Sequence, residues 1–495
     1  EKYGGALYFF EGNSDVSFES STFTSCSAGQ QGGAIYLNAA NDDFVFDNSH
    51  FISNTAGDRG NSDGIGGAIF AGKNNMRMAL LGDGVERRFW NVPRYCLELD
   101  KTYTTSYTFP GDFDEFVVLF IPDIFFSAVN GRLAVRTESK TATFATNDYF
   151  PGVNKTALIV PGPSLNLSLK DNAMDCSNCP GTYGGFPVYI YGIPRAEKTS
   201  DTVVASFSNN VADIGGAVAL LQANNAAVVV NVEITGNRAK TGSGGGIYLE
   251  TANSYSSFIR THFVRNEAAL LGGGLAVEVS HSGVQVGNCS FVSNSASSGG
   301  GLGVSTLNGV DNLQGGSFPT DFGASVSQSQ FSSNSAVEGG AIYSLTTNAL
   351  VVSDSDIWSN EANSSGGGCF LGSSSQVLVQ GSVLSANSAP TGGAIYTGAK
   401  SQLSVTSCDV MSNTATISGG GMFLDSLAQL TVQGTVRLTS NSAGQHGGGL
   451  FLLDTPAWTA SSSSSSIILE IALTSNNATW GSAVFFNASD AVTQQ

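Results

Sequence analysis

The chain has 495 residues, a formal net charge of −18 at pH 7, and only 12% charged side chains. This acidic balance argues against a nucleic-acid partner, because phosphate binding requires clustered Lys and Arg. No stretch reaches the ~18 to 20 consecutive apolar residues of a membrane span. We therefore expect no membrane span in this segment.

Two short motifs alternate along the chain. The first places an apolar residue three positions before an Asn, as in Phe51-Ile52-Ser53-Asn54. The second is a Gly-Gly-Ala or Gly-Gly-Gly triplet followed by an apolar pair, as in Gly392-Gly393-Ala394-Ile395-Tyr396. The third positions of successive triplets at 341, 368, 394 and 421 lie 27, 26 and 27 residues apart. A fixed period in this range indicates stacked structural repeats.

Each repeat contains three short β-rich stretches, separated by Gly, Ser and Asn, and none is long enough for an amphipathic helix. This texture predicts one coil of a parallel β-helix, in which equivalent residues of neighbouring coils lie about 4.8 Å apart. The glycine triplets predict about thirteen coils, three before an interruption and ten after it, and a rod of ~60 Å. The predicted fold class is all-β, a parallel β-helix solenoid with an inserted domain.

In chain order, we expect the first coils in residues 1–70, the inserted domain in 71–200 and the remaining coils in 201–495. The middle segment holds nine of the twelve prolines and thirteen of the twenty-one Lys and Arg residues. Its apolar runs predict the strands of a small all-β sandwich or barrel. These runs are Phe116–Ile121, Ala157–Val160, Leu165–Leu169 and Pro187–Tyr191. Because the coils at both ends fall inside a repeat, we expect more protein to flank them.

The Asn of the first motif recurs at one register, so we expect the amides to stack as an internal ladder. The alternative is an ordinary turn residue that tolerates the left-handed conformation. The predicted ladder residues are Asn54, Asn210, Asn237, Asn266, Asn294, Asn334, Asn360, Asn387, Asn413, Asn441 and Asn476.

Five of the seven cysteines form two groups, and Cys26 and Cys369 belong to neither. Cys289 and Cys408 occupy the same slot four coils apart, too far for a disulfide, and are expected to be small buried residues. Cys96, Cys176 and Cys179 lie in the middle segment and are the disulfide candidates, which we favour there over half a zinc site. Asn-x-Ser/Thr acceptors predict glycosylation at Asn154, Asn166, Asn288, Asn363, Asn477 and Asn487.

Catalysis and metal binding find little support in the sequence. Carbohydrate cleavage needs two convergent carboxylates, or a base with a Lys or Arg. The close acidic pairs of the helical region, Asp42-Asp43 and Asp354-Ser355-Asp356, have no basic partner at the same register in adjacent repeats. The loop 58–63 has oxygen ligands for Ca²⁺, but a plain turn is favoured. We predict no catalytic residue, no metal site and no cofactor.

The Phe-x-x-Asn and Gly-Gly-Ala motifs, repeated at this spacing, resemble the polymorphic outer-membrane protein repeat of chlamydial surface autotransporters and of large secreted algal and protist proteins. The resemblance covers residues 1–70 and 201–495 and leaves 71–200 outside. It implies a right-handed parallel β-helix that acts at the cell surface in adhesion or as structural material. The bacterial proteins end in an outer-membrane β-barrel domain, and no such domain is recognisable in this sequence.

The leading functional hypothesis is therefore a rigid, glycosylated, non-enzymatic surface rod, located outside the cell or on its surface. Its partners would be other extracellular proteins, copies of itself in a filament such as a flagellar hair, and glycans. The inserted domain, with its Lys and Arg, would meet an acidic partner, although a passive insertion is an equal alternative. The alternative of another class is a carbohydrate-active β-helix enzyme.

Overall fold

The structure is a computed structural model. It describes residues 2–57, 64–75, 77–91, 205–281, 283–307, 323–347, 350–453 and 470–487, together with seven strands between residues 102 and 194. The regular elements of this part of the chain are all β-strands. The predicted all-β class is confirmed.

The coils contribute strands to three long parallel sheets, and a complete coil has one strand in each. The first sheet contains Leu7–Glu11, Ile35–Ala39, Ile69–Lys73, Val218–Gln222, Ile247–Thr251, Leu275–His281, Leu302–Leu307, Ile342–Thr347, Cys369–Leu371, Ile395–Thr397, Met422–Leu424, Leu450–Leu453 and Val484–Asn487. The second contains Ser14–Glu19, Asp42–Asp47, Ala79–Leu81, Val228–Val230, Ser257–Ile259, Val284–Gly287, Ala324–Ser327, Leu350–Ser353, Gln376–Gln380, Gln402–Thr406 and Gln429–Gln433. The third contains Thr22–Thr24, His50–Ile52, Ser206–Ser208, Glu233–Thr235, His262–Val264, Ser290–Val292, Gln330–Ser332, Asp356–Trp358, Val383–Ser385, Asp409–Met411, Thr435–Thr439 and Glu470–Thr474.

Shorter strands pair at the corner between the third and first sheets, in two groups of five. One group is Ser27–Ala28, Thr55–Ala56, Val211–Ala212, Arg238–Ala239 and Glu267–Ala268. The other is Ser335–Glu338, Glu361–Ser365, Ser388–Thr391, Thr414–Ser418 and Ser442–Ala443.

The number of coils agrees with the glycine count. Among the described residues the first sheet has 13 strands, three before the interruption and ten after it, and the second has 11. Eleven coils therefore have all three long strands. The predicted parallel β-helix is confirmed.

The core runs without a break along the solenoid, and equivalent side chains of successive coils stack on one another. In the third sheet Phe263 stacks on Phe291 and Phe291 on Phe331, with ring centroids 4.6 Å apart in both pairs. All three side chains are fully buried. Burial of each such ring contributes roughly 1.5–3 kcal/mol. The apolar residue of the Asn motif is thus a core residue, which explains why it is Phe, Ile, Leu or Val in every coil.

The glycine triplet forms a tight corner. Its first glycine lies in the left-handed region, with φ of 64° at Gly32 and 63° at Gly392, where a side chain would be strained. At the second glycine the backbones of adjacent coils touch: a Cβ on Gly393 would overlap the carbonyl oxygen of Gly420 in the next coil. Where a further coil follows, only glycine fits at this second position; Ser482 occupies it in the last described coil.

The interruption lies between the third and fourth coils. Ala79–Leu81 still pairs with the coils on both sides, so the predicted boundary at residue 70 falls inside the third coil. The predicted boundary stood at the last glycine motif before the interruption, whereas the second-sheet strand of the same coil follows that motif. The segment beyond it forms two antiparallel four-stranded sheets. One has the order Glu86–Asn91, Pro187–Pro194, Phe113–Phe120, Ala157–Pro161, and the other Thr102–Tyr107, Leu165–Asp171, Gly131–Arg136, Thr141–Ala145. Packing of the two into a sandwich stays a prediction.

Candidate functional site

A cavity of about 470 Å³ opens on the outer surface of the second sheet, where the chain leaves the solenoid for the inserted segment. Its apolar floor includes Val45, Leu81 and Val85, which are buried. Its polar lining is Asp15, Ser17, Asp43, Asp47, Glu86, Arg87 and Arg88. We call this cavity the acidic groove.

The strand pattern explains why these side chains converge. Ser14–Glu19 and Asp42–Asp47 pair in parallel, with Glu19 opposite Asp47. The buried Phe44 and Phe46 point into the core, so the residues between and beside them face outward. Carboxylates of neighbouring coils are therefore stacked along one wall. Glu86, Arg87 and Arg88, at the start of the inserted segment, form the other wall.

Two arginines pair with the acidic residues of this strand. Arg77 Nη2 donates to Asp42 Oδ2, and Arg87 Nη2 donates to Asp43 Oδ1. The sequence-based expectation that Asp42-Asp43 has no basic partner is wrong. Arg77 lies in the next coil at the register of Asp43, two residues before Ala79, which pairs with Val45. Arg87 lies in the inserted segment, outside the repeats. The second acidic pair, Asp354 and Asp356, has no ion pair among the described residues.

The opposite end of the groove has an excess of negative charge. Asp47 has no basic side chain within ion-pair distance in the described part of the chain. Burial, followed by the charges of Glu19 and Asp83, raises the pKa of its carboxyl. The pKa of Asp42 is also raised, because burial outweighs the attraction of Arg77. In the groove, the charge of Asp43 is therefore paired with an arginine, whereas that of Asp47 is not.

The inserted segment is held against the solenoid beside the groove. Its first and last strands pair with each other, with Arg87 opposite Tyr191. Val85 and the buried Tyr191 pack on an apolar patch of the second sheet. We call this patch the docking patch; it consists of Val45, Ala79, Leu81, Val228, Val230 and Ile259. The segment is thus attached to the outer surface of the rod at both of its ends.

The structure places the eleven predicted ladder residues in one row. In a typical member, Asn360, the backbone N–H and Nδ2 both donate to Asn387 Oδ1, at 3.0 and 2.9 Å. Asn360 Nδ2 also donates to the Phe331 carbonyl of the preceding coil, and its Oδ1 accepts two bonds from Asn334. An amide inside the row, such as that of Asn360, is fully hydrogen-bonded. The row continues from Asn54 to Asn210 at 3.0 Å, so the coils on either side of the interruption stack directly.

Two further rows were not found from the sequence. Asn13, Asn41, Asn75, Asn224 and Asn253 form a second amide row at the corner between the first and second sheets. In later coils this corner carries serine, with Ser375 N–H donating to Ser401 Oγ. A third row lies at the next corner. There the Thr261 N–H donates to Cys289 Sγ, and the Cys289 N–H donates to Ser329 Oγ. A search for Asn recurring just before the second strand would have found the first of these rows.

The cysteines of the solenoid are free thiols. Cys289, Cys369 and Cys408 are buried, and Cys26, in the ladder slot of the first coil, is half-buried. Burial raises the pKa of Cys289 and of Cys369 to about 12. Cys289 Sγ accepts from Thr261 N–H, so it belongs to a polar row in addition to filling space. Cys96, Cys176 and Cys179 lie outside the described residues, and their pairing stays a prediction.

The predicted glycosylation acceptors differ in their surroundings. Asn363 and Asn477 are exposed, and Asn288 is half-buried in a left-handed turn with φ of 53°. Asn166 and Asn487 lie in strands, and Asn154 is outside the described residues. Modification of all six stays a prediction.

The described part of the chain has no group of three or more His, Cys, Asp or Glu side chains that could hold a metal ion. The loop 58–63 lies outside it. No helix there is long and apolar enough to cross a membrane.

The fold and the internal rows define a parallel β-solenoid built from a short repeat. The model of the Chlamydia polymorphic membrane protein repeat matches residues 231–250 and 328–345, and both segments include a ladder Asn. The chain therefore carries this repeat, which confirms the resemblance seen in the motifs. No curated protein and no solved structure matches the chain. The repeat and the β-helix fit a surface or adhesin-like protein.

Proposed function

We propose that this chain is a non-enzymatic, extracellular or cell-surface rod that serves in adhesion or as structural material. The observation that carries the proposal is the Asn row, which runs from Asn54 to Asn476 across the interruption. Fully hydrogen-bonded buried rows make the coils one continuous stack, and a continuous stack holds whatever it displays at a fixed distance and orientation.

The inserted segment would be the displayed recognition element. Its attachment through Val85 and Tyr191 to the docking patch fixes its orientation on the rod, as a recognition element requires. Its partners would be extracellular proteins, glycans or other copies of this chain. The filament version of the proposal has copies joined end to end.

Display can be tested on intact cells of the source organism. Antibodies against the purified chain should label unpermeabilised cells, and beads coated with the chain should adhere to cells or matrix. Beads coated with a chain in which residues 86–194 are replaced by a Gly/Ser linker should adhere less. Labelling only after permeabilisation would refute surface display, and unchanged adhesion would move the contact to the solenoid. Electron microscopy of native material tests the filament version.

One observation favours the alternative, a carbohydrate-active enzyme. The acidic groove brings carboxylates together with Arg87 and Arg88 in one cavity, the residue types that polysaccharide cleavage uses. Asp15 and Asp43, which are neighbours across two paired strands, would be the acid and base candidates. Release of reducing ends from polysaccharides by the purified chain, abolished in both Asp15→Asn and Asp43→Asn, would replace the structural proposal with this one.

A further inference from the structure

We propose that the charge of Asp47 controls how tightly the inserted segment docks on the rod, with docking loose while Asp47 is ionised and tight once it is protonated. This inference deepens the display role given above and rests on it only for its biological meaning. Docking is a property of the purified chain, so it is measured without cells. The two proposals can therefore fail separately.

The entry turn, residues 82–85, folds the inserted segment back over the strand that carries Asp47. The chain leaves the second sheet after Leu81, which is opposite Asp47 in the parallel ladder. The Val85 N–H then donates to the Gly82 carbonyl at 3.2 Å, which closes the turn. Val85 itself is buried in the docking patch. Asp47 therefore lies where the segment reverses direction, and it lines the same cavity as the strand that follows the turn.

The charged groups around Asp47 leave it unneutralised. Glu19 lies opposite Asp47 in the preceding coil, and Asp83 lies in the entry turn. The closing strand of the segment, Pro187–Pro194, adds the neutral Tyr191. The other charged groups nearby are one carboxyl without an ion-pair partner among the described residues, Asp15, and three arginine–carboxylate pairs, Arg77–Asp42, Arg87–Asp43 and Arg88–Glu86. The neighbouring arginines are thus already paired with other carboxylates.

Docking disfavours the charged form of Asp47. The residue lines the cavity between the second sheet and the segment and is partly buried, and burial favours a neutral carboxyl group. Burial is accordingly the main cause of the raised pKa of Asp47, followed by the charges of Glu19 and Asp83. With the segment undocked, water would reach the carboxyl group and its pKa would be lower. A proton therefore binds more tightly in the docked form, and docking strengthens as pH falls through the carboxyl range.

The apolar contact that holds the segment is small. Among the described residues, Val85 and Tyr191 are the side chains of the segment that pack on the docking patch. Beside them, a cavity of about 470 Å³ stays open between the segment and the second sheet. Because the contact is small, the charge of one carboxyl group is enough to shift the docking equilibrium several-fold.

The test is thiol labelling of the purified full chain carrying Val85→Cys. Val85 is 6% exposed, so the introduced thiol reacts when the segment lifts from the docking patch. The label is a pyridyl disulfide, which reacts at acidic as well as neutral pH, and mass spectrometry of the peptide reads its extent. At neutral pH, adding Asp47→Asn should slow labelling about three- to tenfold, because Asn carries no charge. At about pH 4, where the wild-type carboxyl group is protonated, the two rates should converge.

Controls separate docking from general effects of charge and stability. Asp356→Asn, the same change at an exposed carboxyl of the third sheet, should leave labelling unchanged, and the buried thiol of Cys408 should react at one slow rate in every variant. The proposal is overturned if Asp47→Asn does not slow labelling at neutral pH, if Asp356→Asn slows it as much, or if Cys408 slows in parallel. If the melting temperature shows that Val85→Cys does not fold, Ala79→Cys in the docking patch reports the same contact from the solenoid side.

Discussion

The outer surface of the second sheet differs between the early and the late coils, although the interior is the same. One row runs Val230, Ile259, Gly287, Ser327, Ser353, Gln380 and Thr406 in register. Its early members are buried under the inserted segment, with Val230 and Ile259 at most 1% exposed. Its late members are polar and partly or fully exposed. The same strand position is thus core in one region and surface in the other.

This difference shows that two separate requirements determine the sequence. The inward positions, the glycine corner and the Asn row satisfy the stacking of coils and are the same throughout. The outward positions depend on what covers them, and only the early coils are covered by a segment of the same chain. A functional site, such as the acidic groove, is therefore expected where the outward-facing residues differ from the uncharged polar residues of the late coils.

The largest effect is expected when the shared interior is changed in either region. Gly33→Ala and Gly393→Ala should each destabilise the protein by more than ~4 kcal/mol, because a Cβ at either site overlaps the carbonyl oxygen of the next coil. The melting temperature and the hydrogen exchange of adjacent coils measure this. Gly12→Ala, which meets no atom within 4 Å, should cost only its backbone strain, about 1–2 kcal/mol. A marked difference between the two interior variants would contradict a common interior.

The next effect concerns the Asn row. Asn387→Ala removes the acceptor of two Asn360 donors and the Nδ2 donor to the Ile357 carbonyl. Asn413 Oδ1 loses one of its two donors and keeps the backbone N–H of residue 387. We expect a loss of ~3–5 kcal/mol, since each buried polar group left unpaired costs about 1–3 kcal/mol. The control is Asn363→Ala, at an exposed strand position, which should change stability by less than ~0.5 kcal/mol. Equal melting temperatures would show that the row is not a source of stability.

The sequence predicted the interior well because the interior is periodic. The motif Phe51-Ile52-Ser53-Asn54 and its later copies predicted the buried apolar residue and the Asn of the row, because stacking requires the same type of residue in every coil. The glycine triplets likewise predicted the tight corner. The second amide row was missed because its copies stop at Asn253 and serine replaces them in later coils, so no motif runs through the whole chain.

The groove and the docking patch were not predicted, because neither repeats. Arg77 and Arg87 reach Asp42 and Asp43 only because the fold returns the chain to the same surface. The charge argument for the inserted segment was also incomplete. Residues 71–200 hold thirteen basic but also thirteen acidic residues, so the segment is neutral and the rest of the chain carries the whole net charge.

A matched exchange along the outer row tests the difference between the regions directly. Val230→Thr should destabilise the protein by about 1–3 kcal/mol, because it places a hydroxyl group in the buried, apolar docking patch. Thr406→Val, the reverse exchange at the equivalent late position, should have an effect within ~0.5 kcal/mol. Chemical denaturation of both variants measures this. Similar losses in the two would mean that the docking patch is not covered in solution.

The carboxyl groups with raised pKa predict a dependence of stability on pH, an effect smaller than those above. Burial raises the pKa of Asp42, Asp47, Glu250 and Glu338, with neighbouring carboxylates adding to the effect at Asp47 and Glu250. A carboxyl whose pKa is higher in the folded state binds protons more readily when folded, so stability rises as pH falls toward the carboxyl range. The melting temperature should therefore increase from neutral to mildly acidic pH. In Asp47→Asn the increase should be smaller, and a melting temperature that falls over the same interval would contradict the assignment.

The smallest effect is expected just before the Asn row, where the backbone turns. Ala386 has φ of 54°, a conformation that strains a residue with a Cβ by roughly 1–2 kcal/mol, and Gly236 occupies the equivalent position of an earlier coil with φ of 64°. Ala386→Gly relieves this strain but increases the entropy of the unfolded chain, a cost of about 0.4–1 kcal/mol. The net result should be neutral or stabilising by up to ~1 kcal/mol. Ala389→Gly, in the buried strand Ser388–Thr391 of the same coil, should instead destabilise by about 0.5–1 kcal/mol. If both variants lose stability equally, the left-handed turn at Ala386 is not strained. The conformation at this position would then not restrict which residue can precede the Asn row.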